Sequence, residues 1–169
     1  TATAMYPAAV NDVAYDAESG NGGTADRWVT LYREEFLFPT GAVIPAGSTI
    51  SSATFSLWGN AKTDSCGWGA NDGSKLVAVQ AVTASGTTTS LSDYANMGTT
   101  SFGESAILNS LSITAYNDIN LNSTGIAAIA TGSGVTKIGV RSKYDMSDTN
   151  PPFVANCTTN FQVKMSETA

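Results

Sequence analysis

Histidine is absent from the 169-residue sequence, and charged residues make up only 13% of it. Without histidine the chain cannot build a Ser-His-Asp or Cys-His catalytic site, or a metal site with imidazole ligands. The P-loop, GxGxxG, GxSxG and HExxH patterns are also missing, and with them the main sequence signs of nucleotide binding, α/β-hydrolase chemistry and zinc proteolysis. The sequence therefore predicts a protein that is not an enzyme and needs no cofactor.

Positive charge is scarce as well, since 8 Lys and Arg residues face 14 Asp and Glu residues and give a net charge of −6. A chain of this charge repels a phosphate backbone, so a nucleic-acid partner is not expected. No run approaches the roughly 20 apolar residues of a membrane span, so membrane insertion is not expected either. The length and the apolar fraction of 42% predict one domain over residues 1–169 with a buried core.

Short alternating segments dominate the chain and indicate strands. The clearest example is a turn followed by a strand, and Pro45 and Gly47 predict the turn. After that turn, Ala53, Phe55 and Leu57 share one face of a half-buried strand. Further strands are predicted over residues 1–10, 27–38, 76–82, 115–121, 135–141 and 159–165, a helical turn over 93–98, and one helix over 123–130. This pattern predicts an all-β fold, an antiparallel β-sandwich or jelly roll with one short helix.

A polar, glycine-rich loop is predicted over residues 59–74, with Trp68 in its middle. Two interpretations of Trp68 are open. Its indole either packs inside the protein over a disulfide, or lies exposed and stacks on the apolar face of a sugar. The second interpretation predicts a glycan-binding site formed by Trp68, Asp64, Asn71 and Asp72. Trp28 and Trp58 lie in strand patterns and are expected to be packed in the core.

The two cysteines, Cys66 and Cys157, are too few for a structural zinc site. They either form a disulfide across 157 − 66 = 91 residue steps or remain as two buried thiols. Two N-glycosylation sequons are present, Asn122-Ser-Thr and Asn156-Cys-Thr, and they are meaningful if the producing cell glycosylates.

Carboxylates offer few catalytic combinations. Glu34 and Glu35 are adjacent, so on a strand they point to opposite faces and cannot form a glycosidase pair by themselves. We expect Glu35 to pair with Arg33 on the same face. Oxygen ligands suited to calcium occur at Asp145, Asp148 and Asn150. Clusters of Asp and Asn also form turns, and the EF-hand pattern is missing, so calcium and a turn are alternatives here.

Four segments between residues 28 and 145 carry a pattern seen in a known family. They are Tyr32-Arg33 with Phe36-Leu-Phe38, the stretch Ile44-Pro-x-Gly47-x-x-Ile50-x-x-Ala53-x-Phe55-x-Leu57, Asp93-Tyr94 with Gly98, and Tyr116–Gly125 continuing into Ile138–Ser142. The pattern resembles the DNRLRE-type domains, jelly-roll modules of secreted bacterial and archaeal proteins and of phage structural proteins. The resemblance implies a jelly roll on a cell or virion surface.

Domains of this family commonly close with one more strand, whereas this sequence ends with residues 165–169. Either that strand lies outside this sequence, or a neighbouring chain supplies it by β-augmentation. We therefore expect a non-enzymatic extracellular or virion-surface module for structure or adhesion, which assembles with copies of itself, with virion or cell-surface proteins, or with a host surface. The alternative is a carbohydrate-binding module of a secreted polysaccharide-degrading enzyme.

Overall fold

The computed structural model describes residues 10–14, 31–82, 90 and 92–164. Its strands are β1 (Val10–Ala14), β2 (Glu34–Phe38), β3 (Thr54–Asp64), β4 (Leu76–Gln80), β5 (Ser101–Glu104), β6 (Tyr116–Asn120), β7 (Thr136–Ser142) and β8 (Thr159–Lys164). Two short α-helices, α1 (Ser123–Ala127) and α2 (Lys143–Met146), and four 3₁₀ turns complete the described elements. The predictions for Trp28, for residues 1–9 of the first strand and for Met165 lie outside the described residues.

The strands form two four-stranded sheets, one in the order β1-β8-β3-β6 and the other in the order β2-β7-β4-β5. All the pairings are antiparallel. β1 pairs with β8, β2 with β7, β3 with β6 and β4 with β5, which is the pattern of one long hairpin rolled up into a double sheet. The predicted antiparallel sandwich is confirmed, and its strand order is that of a jelly roll.

The inner faces of the two sheets enclose the core. From the first sheet, Phe55 and Leu57 of β3 and Phe161 of β8 are at most 5% exposed, as the alternation in the sequence predicts for β3. The second sheet contributes Leu76 and Val140, both fully buried. Burying such side chains stabilises the fold by about 1.5–3 kcal/mol for each one.

The outer face of the second sheet is covered. Val77 and Val79 of β4 point away from the main core and pack against Met97, with Met146 of α2 beside them. Because both faces of β4 are buried, its sequence is a continuous apolar run, Leu76-Val-Ala-Val. The segment around Met97 and helix α2 therefore form a partial third layer over this sheet.

A β-bulge in β3 explains why the predicted loop over residues 59–74 begins too early. Gly59 lies opposite Val163 and Ala61 lies opposite Gln162, so Asn60 is an extra residue in the ladder. An extra residue reverses the parity of the side chains, and the strand continues to Asp64 although the apolar alternation stops. Gly59 is required at this point, because a Cβ there would overlap the backbone oxygen of Ser112.

Several local predictions are confirmed. β2 ends before Pro39, Ser48 N–H donates to Pro45 O in the predicted turn at 3.2 Å, and Asp93–Asn96 forms a single 3₁₀ turn. The helix predicted over 123–130 is α1, which ends earlier, at Ala127, and has Asn122 as its N-cap. The sequence pattern missed β5 and α2, because β5 has four residues in a Ser/Thr-rich stretch and α2 has only one turn.

Lys62 ties the end of β3 to the segment before β6. Its ammonium donates to the backbone oxygens of Asn109 at 2.8 Å and Leu111 at 2.7 Å, and lies 3.4 Å from that of Leu108. Replacing Lys62 with methionine keeps the aliphatic stem but leaves these carbonyls without their donor. We expect a loss of about 1 kcal/mol in the free energy of unfolding, measured by urea denaturation. Lys164→Met, on the exposed end of β8, is the matched control and should change stability by less than half of that.

Candidate functional site

Trp68 is buried in the core. Its side chain is 2% exposed, its ring packs edge-on against Tyr144 with centroids 6.2 Å apart, and its Nε1 donates to Pro152 O at 2.9 Å. Cys66 and Cys157 are joined by a disulfide in the same cluster. Of the two interpretations of Trp68, the structure shows packing beside the disulfide, because the indole has no exposed face on which a sugar could stack.

The residues predicted to accompany Trp68 also make internal contacts. Asp64 accepts hydrogen bonds from the backbone N–H groups of Trp68 and Gly69 at 2.8 and 2.9 Å, and one from Thr159 Oγ1 at 3.0 Å. Asn71 donates to the Tyr144 hydroxyl at 3.0 Å. Asp64 and Asn71 thus shape the loop, and with Trp68 buried the four residues do not form an open contact surface.

Asp72 belongs to a surface ion network. Its carboxylate lies 2.8 Å from Lys143 and 2.6 Å from Lys75, and both lysines also contact Glu104. Hydrogen bonds from Lys143 and Lys75 lower the pKa of Asp72 to about 2. The network links the segment before β4, the end of β5 and the start of α2 at the surface.

The most buried ionic cluster consists of Arg33, Arg141 and Asp145. Asp145 lies 2.7 Å from Arg33 Nη2 and 2.7 Å from Arg141 Nε, and its side chain is 5% exposed. The Arg33 guanidinium stacks on Tyr94, 4.4 Å from the ring centroid, and donates to Tyr94 O. Arg141 also donates to Gly98 O at 3.1 Å. The sequence pattern paired Arg33 with Glu35, whereas the structure places the guanidinium on Asp145.

This Arg33–Asp145–Arg141 cluster fastens the partial third layer to the second sheet. Burial by itself raises the pKa of Asp145, but the hydrogen bonds from Arg33 and Arg141 and their charges outweigh burial and hold that pKa below its ordinary value. The carboxylate is therefore ionised and neutralised at pH 7, and its contacts are those of a structural ion pair rather than of a catalytic acid.

The three residues predicted as calcium ligands do not form a site. Both oxygens of Asp145 accept hydrogen bonds from guanidinium groups, and two guanidinium cations beside it oppose a divalent cation. Asp148 and Asn150 are exposed, and Asp148 has φ = 51°, as in a turn. Within the described ranges no group of three or more acidic or cysteine side chains is arranged to hold a metal ion. The alternative, a turn after α2, is the one observed.

Both sequon asparagines are exposed, but they differ in their local roles. Asn122 caps α1: its Oδ1 accepts from the N–H groups of Thr124 and Gly125, and its Nδ2 donates to Ser101 O at 2.8 Å. Asn156 has φ = 52° and precedes the disulfide at Cys157. The Asn122 amide is already used inside the fold, whereas Asn156 lies in an exposed turn.

The outer face of β3 and β6 carries three rows of paired, exposed side chains. Trp58 lies opposite Tyr116, with ring centroids 4.9 Å apart and ring planes nearly perpendicular. Ser56 Oγ donates to Asp118 Oδ1 at 2.6 Å, and Thr54 Oγ1 donates to Asn120 Oδ1 at 3.0 Å. We call these six residues the β3–β6 ladder. Trp58 is 36% exposed and Tyr116 is 64% exposed, so the expectation of a core position for Trp58 is wrong.

β6 is the edge of its sheet, and part of that edge is open in the described structure. Gly59 N–H donates to Ala115 O and Leu121 N–H donates to Ala53 O, which sets the phase of the hydrogen bonds between the two strands. The backbone groups of Tyr116, Asp118 and Asn120 therefore point away from β3. At the Asn120 end β5 is close, since a Cβ on Gly103 would overlap the backbone oxygen of Asn120. The open part of the edge is Tyr116–Asp118.

The C-terminal strand leaves no gap in the first sheet. β8 is paired on both sides, with β1 and with β3, so the expected space for a missing last strand is not observed there.

The sequence contained a sign of the β3–β6 ladder, namely Thr54, Ser56 and Trp58 on the opposite parity to Phe55 and Leu57. That parity indicates a solvent-facing Trp58.

No protein family model, curated protein or solved structure matches the chain. The resemblance to DNRLRE-type domains thus stays a prediction from the four sequence segments. Among the described residues, no helix has the length and apolar character needed to cross a membrane.

Proposed function

We propose that the protein is a non-enzymatic structural or adhesion module of a cell or virion surface, which assembles with copies of itself or with a host surface. The observation that carries the proposal is the open edge of β6 at Tyr116–Asp118, next to an outer face that no described element covers. An unpaired edge offers backbone donors and acceptors to an added strand.

The distribution of polar groups supports a module without chemistry. Asp145 is neutralised by two arginines, Asp64 accepts hydrogen bonds from its own loop, and Asp72 is paired with lysines. A catalytic acid or base needs a pKa suited to proton transfer, whereas the pKa values of Asp145 and Asp72 lie below the ordinary carboxyl value. Disulfides persist in secreted and surface proteins and are rare in cytosolic ones. The Cys66–Cys157 bond therefore favours an extracellular location.

A pair of variants at Asp118 tests assembly through the β6 edge. Asp118→Pro removes the backbone N–H that points away from β3. The backbone hydrogen bonds between β3 and β6 do not use that N–H. Asp118→Ala removes the same side chain and keeps the N–H. We expect wild type and Asp118→Ala to assemble as concentration rises in sedimentation velocity experiments, and Asp118→Pro to stay monomeric with an unchanged far-UV spectrum.

Two results would count against the proposal. Equal assembly by Asp118→Pro and Asp118→Ala would show that the β6 edge is not used. A wild type that remains monomeric at every concentration, and that adheres to no cell or virion surface, would remove the proposed function itself.

A carbohydrate-binding module remains the second candidate, because the aromatic pair Trp58 and Tyr116 is exposed beside hydroxyl, amide and carboxylate groups. Aromatic rings that are apolar on their faces, with polar groups nearby, are suited to hydroxyl-rich ligands. This candidate differs from the sequence expectation in its location, since Trp68 is buried.

A further inference from the structure

We propose that the β3–β6 ladder is a binding site for an extended, uncharged polysaccharide chain. The inference rests on the second candidate function and assigns that function to particular residues. The chain would lie along the strand direction, with one sugar on the Trp58–Tyr116 pair and its neighbours above the Ser56–Asp118 and Thr54–Asn120 pairs.

The shape of the ladder fits a chain of sugars better than a single sugar. Its rows are two residues apart on each strand, so the first and third rows are about 13 Å apart. The rows lie on one face of the sheet, because Trp58, Ser56 and Thr54 share one parity on β3 and their partners share one on β6. A series of contacts of this length matches several consecutive pyranose rings in an extended chain.

The chemistry changes along the ladder in the way that a polysaccharide requires. At one end the perpendicular pair of Trp58 and Tyr116 offers apolar surface that remains exposed at 36% and 64%. The remaining rows present hydroxyl, carboxylate and amide groups that already bond in pairs. The carboxylate and the amide can each form further hydrogen bonds, because a carboxylate has about four acceptor positions and an amide has two N–H donors. Sugar hydroxyls can therefore bond to them without breaking the pairs.

The charges on this face favour a neutral ligand. Among the outward residues of β3, β6 and β8, the charged ones are Asp118 and Lys164, one acidic and one basic. Asp118 stands in the middle row, where an anionic sugar would meet it directly. A protein partner is less suited to the ladder, because a stable protein interface has an apolar centre of larger area than one aromatic pair.

Binding to a polysaccharide panel tests the site. The full chain is run in affinity gels that contain xylan, soluble mannan, β-1,3-glucan or amylose as neutral polymers and alginate as an anionic one. We expect retardation by at least one neutral polymer and none by alginate. Trp58→Ala and Tyr116→Ala should each weaken that binding by about tenfold, as truncation of an aromatic anchor does. Phe153→Ala, which removes a ring of similar exposure, 40%, should bind like wild type.

The outcomes separate the site from the function. Wild-type binding that survives both Trp58→Ala and Tyr116→Ala, each with a wild-type melting temperature, overturns the site and keeps the carbohydrate-binding candidate. No retardation of wild type by any neutral polymer overturns both, and leaves assembly through β6 as it stands. Tighter binding to alginate than to the neutral polymers overturns the assignment of ligand class. If Trp58→Ala is unfolded, Tyr116→Ala, in the more exposed side chain of the pair, decides the question.

Discussion

Replacing Asp145 with asparagine is expected to lower the free energy of unfolding by about 3 kcal/mol, because two guanidinium groups then lose their shared counter-charge in a buried setting. The side chains of Arg33, Arg141 and Asp145 are 14%, 7% and 5% exposed, so water replaces the lost interaction poorly. Asparagine has nearly the same shape as aspartate, so the change reports on charge rather than on packing.

Urea denaturation at pH 7 measures this loss, and Asp148→Asn is the matched control. Asp148 is exposed and has φ = 51°, a conformation that asparagine also accepts. We expect the control to stay within about 0.5 kcal/mol of wild type. Equal effects of the two substitutions would show that the Arg33–Asp145–Arg141 cluster is not what holds α2 and the Asp93–Asn96 turn on the second sheet.

The same cluster predicts a dependence of stability on pH. The folded-state pKa of Asp145 lies below its ordinary value, so the unfolded chain takes up the proton first as the pH falls. The stabilisation is fully present above the ordinary carboxyl pKa of about 4 and is lost as the pH falls through the lowered folded value. Asp145→Asn should therefore differ from wild type by a constant amount above about pH 5 and by a shrinking amount below pH 4.

Removal of the Cys66–Cys157 disulfide is expected to have the largest effect on stability. The bond closes 91 residue steps, for which the chain-entropy relation gives about 4.6 kcal/mol. For a domain of this size that corresponds to a fall of about 13 °C in the melting temperature. The bond joins the end of β3 to the start of β8, beside the buried Trp68, so its loss also loosens the loop that Trp68 fills.

Thermal unfolding of Cys66→Ala/Cys157→Ala, with and without a reducing agent, checks the prediction. Wild type in the reducing agent should melt close to the double variant, and the agent should not change the double variant. A double variant within 2 °C of oxidised wild type, an effect of about 1 kcal/mol or less, would contradict this role of the disulfide.

Much of the fold could be predicted from sequence because two-residue periodicity reports directly on burial. Phe55 and Leu57 alternate with serine and threonine, so the pattern locates the part of β3 that contains them. The pattern fails at the bulge of Gly59–Ala61, where an extra residue reverses the parity and a strand looks like a loop. It also misses β5, which has four residues in a Ser/Thr-rich stretch, and α2, which has a single turn.

The candidate site was harder to predict, because exposure of an aromatic residue is decided by partners far away in the chain. Trp68 lies in a polar loop, yet contacts with Tyr144 and Pro152 bury it. Trp58 lies in a strand, yet its outward parity and its opposite residue Tyr116 leave it exposed. The register of β3 on β6 places these two rings together, and it cannot be inferred from the sequence of either strand alone.

Hydrogen exchange of the peptide that covers Tyr116–Asn120 tests the central claim most directly. We expect its exchange to slow as the protein concentration rises and assembly proceeds, since an added strand would bond to the N–H groups of Tyr116 and Asp118. Exchange in β8, which is already paired on both sides, should not change. Exchange at Tyr116–Asn120 that stays constant while the protein demonstrably assembles would contradict the account.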